Sequence, residues 1–220
     1  MTFTDLTWER TAGLRRAVEE SVFLAELGAG TLDPRAFRNY LEQDAIYLAG
    51  YARALSLLAA RAPDAASAGF WARSAHGAAV VEASLHADLL DGGSLPPAEG
   101  TPEASPTTLG YVSHLVATAA TAPYAVAAAA VLPCFWIYAD AGRRLAAHAD
   151  LVPDHPYARW VAAYDAPEFH ASVAEARRFV DEAATPELAE AMHEAFAVAT
   201  RYEWLFWETA HRLERWPAAA

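Results

Sequence analysis

Two carboxylates fall in the middle of apolar helix faces. Between Pro34 and Arg61, the residues Phe37, Leu41, Asp44, Leu48, Tyr51 and Leu55 recur at spacings of three and four, which is the pattern of one buried stripe. Asp44 interrupts it, with Tyr40, Tyr47 and Tyr51 crowding the same side. Near the end of the chain Met192, Phe196, Ala199, Glu203, Phe206 and Ala210 repeat the spacing, and Glu203 is the one charge on that stripe. A buried carboxylate must find a partner, take up a proton or face a polar cavity. Two of them on two helices suggest an internal pocket for acid/base chemistry; the alternative is a pair of structural acids, each satisfied by a tyrosine hydroxyl or an arginine. Cys134 follows Pro133 in a third apolar segment, with Tyr138 one turn on. The proline removes a backbone donor and frees a nearby carbonyl. Cys134 itself is either a small core hydrophobe or, with a base or an electrophile beside it, a nucleophile.

The histidines offer a weaker signal. Glu82 and His86 stand one turn apart, and Glu190 with His193 forms one ExxH pair. Carboxylate-bridged di-iron bundles need two such pairs and two further carboxylates. Only one is present, and His193, between Glu190 and Glu194, reads as part of a solvated face. His76, His86 and His114 read as packing residues. No metal ligand set and no cofactor is assigned.

The elements that must carry these residues are helices. Alanine makes up a quarter of the 220 residues and leads the helix-propensity scale. Proline marks repeated helix starts, which places helices near Asp5–Leu27, Pro34–Arg61, Asp64–Leu90, Pro106–Thr121, Pro123–His148, Pro156–Tyr164, Pro167–Ala183 and Pro186–Arg215. Asp91–Ser105, rich in glycine and proline, reads as a surface connection and not a domain linker. No repeat of solenoid period occurs. The fold class is therefore all-α, one multi-helix bundle spanning 1–220 as a single domain. Ala122 to Ala139 is almost wholly apolar, yet it is alanine-rich, holds two prolines and has no companion span, so it reads as a core helix and not a membrane anchor. A net charge of -12 without a single lysine leaves no basic stripe for nucleic acid. One cysteine excludes an internal disulfide or a multi-cysteine zinc site. The N-terminal stretch lacks a basic region followed by an apolar one, which points to the cytoplasm.

Six motifs, in this order, carry a resemblance: FRNYLEQDAIYL around Asp44, HGAAVVEASLH from His76, SPTTLGYVSHL around Tyr111, VLPCFWIYADAG around Cys134, YDAPEF from Tyr164 and YEWLFWETA around Glu203. From end to end the chain resembles the TenA or thiaminase II family, in its cysteine-bearing branch. The resemblance implies a haem-oxygenase-like helical fold without haem, and a homotetramer. It implies hydrolysis of an aminopyrimidine, 4-amino-5-aminomethyl-2-methylpyrimidine or thiamin, to 4-amino-5-hydroxymethyl-2-methylpyrimidine in thiamin salvage. It also implies roles. Cys134 is the nucleophile on the pyrimidine ring, and Glu203 the acid/base for leaving group and water. Asp44 holds the amidine edge, Tyr111, Tyr138 and Tyr164 line the pocket, and Tyr47 and Phe206 pack on the ring. Ile46 and the Asp165-Ala166 pair lie where family members vary, which leaves substrate preference open. Two other readings stay beside this one: a metal-dependent oxidase using Glu82, His86 or the ExxH pair, and a non-catalytic pyrimidine-binding protein.

Overall fold

The computed structural model describes residues 1–82, 84, 88–90, 95–98, 100–149 and 152–217. Among them every regular element is helical and none is a strand. The chain divides into two compact units. The first is Met1–Leu32 with Ala122–Trp204, and the second is Asp33–Thr121 with Leu205–Ala220.

The first unit opens with three short helices where one long helix is expected over Asp5–Leu27: α1 Phe3–Arg10, α2 Ala12–Glu19 and α3 Val22–Gly28. Side-chain caps mark the first and third starts, while α2 begins at Thr11 without one. Thr2 and Asp5 form a capping box at the start of α1, and the Ser21 hydroxyl accepts the Leu24 N–H at 3.2 Å to begin α3. Each cap satisfies end donors that a continuous helix would have bonded internally. The long apolar helix runs Tyr124–Ala149, as expected. We number it α7, after α4 Pro34–Arg61, α5 Ala65–His76 and α6 Pro106–Thr121 of the second unit. Its first hydrogen bond runs from Ala127 to the Pro123 carbonyl at 3.0 Å. The stretch Tyr124–Ala147 is long and apolar enough to cross a membrane, and 89% of its most apolar window is buried within the protein. Against α7 pack α3, α8 (Ala158–Tyr164) and α9 (Pro167–Ala183). Pro156 does not begin α8, because Tyr157 is held in the preceding turn: its N–H donates to His155 Nδ1 and its hydroxyl to the Leu32 carbonyl.

A four-layer stack ties this unit together. The Arg177 guanidinium lies 3.9 Å over the Trp136 ring, Trp136 stacks on Trp8 with centroids 3.9 Å apart, and Arg15 lies 3.9 Å over Trp8. Arg177 also pairs with Asp5 at 2.9 Å, and Asp181 accepts both the N–H and the hydroxyl of Thr4. The last helix, α10 Ala189–His211, follows a turn at residues 186–188, so Pro186 precedes it by three residues. The expected solvated face at His193 is a buried one: His193 is 6% exposed, Phe3 stacks on its ring at 4.5 Å, and Thr7 Oγ1 bonds its Nδ1.

In the second unit α4 packs against α5 and α6. Asp33 caps α4 and Asp64 caps α5, and Pro34 opens α4 at the position where its missing N–H costs nothing. The helix expected over Asp64–Leu90 instead widens to a π-helix over Gly77–Glu82, a form that breaks the regular i→i−4 ladder. A Cβ on Gly50 would meet Val112 Cγ1 at 2.3 Å, so only glycine lets α4 and α6 approach this closely. The residues after α10 are strapped down. Glu214 Oε2 accepts the Thr107 N–H, Arg215 donates to Asn39 Oδ1, and Trp216 Nε1 donates to the Ala104 carbonyl. The expected connection Asp91–Ser105 lies partly outside the described residues.

Burial, the largest cause, holds the His193 pKa below its usual 6.5, with nearby Arg10 adding to the effect and Glu190 opposing it. Burial does the same at His114. The unfolded chain takes up protons at both sites near the usual value while the folded chain resists, so stability is full above about pH 7 and falls as pH drops through 6.5. Melting temperature is therefore expected to decline between pH 7.5 and 5. His193→Asn, which keeps a polar group toward Thr7 but does not titrate, is expected to flatten part of that decline.

Candidate active site

The residues picked out from the sequence are divided between the two units. In the second unit α4 carries Asp44, 1% exposed. Tyr40, one turn earlier and fully buried, donates its hydroxyl to Asp44 Oδ2 at 3.2 Å. Tyr40 is in turn fixed by Trp207, stacked at 5.1 Å, and by Phe206, edge-on at 6.0 Å. Three residues beyond Asp44, Tyr47 lies against Tyr111 at 4.9 Å, Tyr51 at 5.4 Å and Phe206 at 5.7 Å. All four rings are 3% exposed or less. Tyr47, Tyr111 and Phe206 thus form one aromatic cluster, to which Asp44 is linked through Tyr40. Gln43, beside Asp44 in sequence, donates to the Glu103 carbonyl and accepts the Ser105 N–H, so it moors the stretch leading into α6.

In the first unit α7 carries Cys134, half-buried, and one turn later Tyr138, 3% exposed. Pro133 lies inside the helix, so the hydrogen bond that an N–H at this position would make to the Ala129 carbonyl cannot form. Tyr138 meets Tyr164, at the end of α8, with centroids 5.0 Å apart, and Trp160 backs both rings at 6.4 and 4.6 Å. Glu203 on α10 is 1% exposed. Asp165, which follows Tyr164, accepts from or is bridged to His170 Nε2 at 2.9 Å.

Three contributors went unassigned in the sequence. Tyr40 had a signal, its i−4 spacing from Asp44. Trp160 had none beyond its size. Gly142 had none either, because its role is a long-range contact. A Cβ there would meet the Tyr164 carbonyl oxygen at 2.5 Å, so glycine lets the end of α8 press directly on α7, two turns past Cys134.

Among the described residues no group of three or more His, Cys, Asp or Glu side chains is gathered as metal ligands would be. Of the ExxH pair, Glu190 bonds Arg10 through both carboxylate oxygens and His193 is engaged by Thr7 and Phe3. His86 lies outside the described residues.

Among the described residues the regular elements are all helical, and they carry two buried acids, several buried tyrosines and a single cysteine after a helix proline. The TENA/THI-4/PQQC family model matches residues 22–213, and the chain belongs to that family. The aminopyrimidine aminohydrolase of Bacillus subtilis is 34% identical over 203 residues, covering 90% of this chain and 85% of its own length. The thiamine biosynthesis multifunctional protein ThiED of Corynebacterium efficiens is 37% identical over 213 residues, 96% of this chain. The chain spans only about a quarter of that relative's length, 28%. Among solved structures, the TenA homologue of P. horikoshii superposes with a TM-score of 0.87 at 25% identity, covering 96% of this chain and 99% of that one. A heme oxygenase-like domain of Shewanella denitrificans, at 12% identity and a TM-score of 0.72 over 97% of this chain and 93% of its own, shares the fold. The fold is all-α and haem-oxygenase-like.

Gly142→Ala is a test of this geometry. Alanine should gain about 1 kcal/mol of helix propensity, whereas forcing a methyl against a backbone carbonyl costs about 1–3 kcal/mol or more. The clash should win. Urea unfolding is expected to show a net loss of stability, together with a change in near-ultraviolet dichroism as Tyr164 shifts. A more stable variant with an unchanged aromatic signal would mean that α8 yields without strain.

Proposed function

We propose that this protein is an aminopyrimidine aminohydrolase, a C–N hydrolase that replaces the amine of 4-amino-5-aminomethyl-2-methylpyrimidine, or the thiazolium of thiamin, by water. The observation that supports it most is Asp44, buried, bonded by Tyr40 and linked through that residue to the ring cluster of Tyr47, Tyr111 and Phe206. The residue types fit the substrate: a flat, weakly polar ring stacks on aromatic faces, and an amidine edge offers two polar atoms in a row to a carboxylate.

The chemistry has a definite difficulty. Direct loss of an amine from a ring methylene would leave a cation conjugated with a stable aromatic ring. Addition of the Cys134 thiolate to a ring carbon forms a C–S bond and breaks aromaticity, so the ring electrons can expel the amine. Glu203, protonated, gives the departing nitrogen its proton. The resulting exocyclic methylene accepts water, whose proton returns to the Glu203 carboxylate. The C–S bond then breaks, restoring the aromatic ring and the thiolate. One carboxyl group serves both halves, in opposite directions. By the resemblance, Asp44 takes the amidine edge, and Tyr138 and Tyr164 contribute to the pocket lining. As an extension of the same resemblance, we propose that the protein works in the cytoplasm as a homotetramer.

Cys134→Ser is expected to melt like the wild type and to lose most ammonia release from the aminomethylpyrimidine, because a hydroxyl without its own base is a far weaker nucleophile. Turnover near the wild-type rate would return Cys134 to a packing role. Complete absence of turnover in the wild type, with binding intact, would leave a pyrimidine-binding protein instead.

Asp44→Asn keeps the volume but turns one acceptor into a donor aimed at the ring. The mismatch should cost on the order of 1–3 kcal/mol, or roughly ten- to a hundredfold in affinity. Calorimetric titration of the hydroxymethyl product, after a check that the variant melts normally, measures this. Unchanged affinity would make Asp44 a structural acid.

A further inference from the structure

Tyr40 lies outside the roles that the resemblance assigns, yet the fold ties it to Asp44. The two stand one turn apart on α4, Tyr40 is fully buried, and its hydroxyl donates to Asp44 Oδ2 at 3.2 Å. The ring has no room to swing away. Trp207 stacks on it at 5.1 Å, Phe206 meets it edge-on at 6.0 Å and Phe37 lies stacked at 6.1 Å. Asp44 is itself 1% exposed, so a donor set in place by packing, not by solvent, faces one of its oxygens.

An amidine edge asks for more than a charge. When neutral it presents one donor, the exocyclic amine, and one acceptor, the ring nitrogen, whereas an ionised carboxylate presents acceptors alone. Both bonds form only if the pair holds one further proton, on the carboxyl or on the ring nitrogen. The Tyr40 hydroxyl biases that choice. A donor bond strengthens when its acceptor is charged, so it favours the carboxylate over the carboxylic acid and sends the shared proton to the ring. Because the donor is held before the ligand arrives, no reorganisation offsets the bias.

We propose that Tyr40 is a positioning residue that, through Asp44, keeps this shared proton on the ring nitrogen of the bound aminopyrimidine. It rests on the function proposed above and deepens it by placing one proton. A protonated ring is the better electrophile. When the Cys134 thiolate forms its C–S bond, the displaced π pair settles on a nitrogen that already carries a proton, and anion and cation become a neutral adduct. With the proton on Asp44, the same step waits on a proton transfer.

The experiment follows the hydroxymethyl product, labelled at its ring nitrogens, by nitrogen NMR in complex with the whole protein, at a pH where the free product is neutral. In the wild type the amidine nitrogen is expected to move upfield into the protonated range on binding. Tyr40→Phe keeps the packed ring and removes only the hydroxyl. There the resonance should return toward the neutral position, and kcat on the aminomethylpyrimidine should fall roughly tenfold or more. Calorimetric affinity for the product should change less than about threefold, since both contacts persist with the proton on Asp44. A residue that merely packs would shift affinity or melting temperature and leave the resonance alone, and that result overturns the proposal. A neutral ring nitrogen in the wild-type complex overturns it without any variant, and so does a protonated one, or an undiminished kcat, in Tyr40→Phe. A wild type that does not bind the product loses the aminopyrimidine function altogether, and this proposal with it. A wild type that binds it protonated, loses that state in Tyr40→Phe and yet turns nothing over would sink the hydrolase and keep the hold of Tyr40 on the proton.

Discussion

The first unit hangs on the stack of Arg177, Trp136, Trp8 and Arg15. Each cation–π layer contributes about 0.5–2 kcal/mol and the ring pair a further ~0.5–1.5 kcal/mol, modest terms that matter for what they connect. Arg177 belongs to α9, Trp136 to α7, Trp8 to α1, and Arg15 to α2. Four helices are thereby indexed to one another by flat faces at 3.9 Å, which tolerate sliding poorly. Trp136 stands two residues after Cys134. Fixing the Trp136 ring fixes the rotation of α7 about its own axis, and with it the direction in which Cys134 and Tyr138 project. A helix with a proline in its middle lacks one backbone bond there, so its rotation has to be secured from outside.

What the sequence made legible followed from periodicity and punctuation. The stripes through Asp44 and Glu203 announced both buried acids, since a single charge in an otherwise apolar 3.6-residue pattern has nowhere else to go, and both are 1% exposed. Asp33-Pro34 and Ala166-Pro167 marked true helix starts. The failures share a cause. Ser21 parted α2 from α3 because its side chain outcompetes the backbone for the Leu24 N–H, α1 gave way to α2 at Thr11 without a side-chain cap, and neither glycine nor proline flagged the breaks. His193 looked solvated beside two glutamates, but Phe3 and Thr7, some 190 residues away, cover it. Gly142 and the tryptophan stack are likewise contacts between distant segments, invisible to any local pattern.

The resemblance read from six motifs added what periodicity could not. It named a role for Cys134, which by composition alone was as easily a small core residue. Burial does not separate those two readings. Chemistry does, because a nucleophile needs its sulfur as a thiolate, whereas a packing residue needs only its volume.

A chain that is one-quarter alanine has an uncommon way of filling its interior. Ala127 to Ala130 are 0–1% exposed, so α7 is approached closely by its neighbours with little side-chain volume between. The bulk must then come from few large residues. Of the five largest fully buried side chains, Trp160 backs Tyr138 and Tyr164, Trp207 and Tyr40 support Asp44, and Tyr111 faces Tyr47; only Trp71 lies apart. Packing density in an interior is high enough that each such residue sits in a defined place. The same rings therefore fill much of the interior and support Asp44, Tyr138 and Tyr164. Changing the shape of those rings changes the core in the same step, so a substitution among them is felt well beyond its own position.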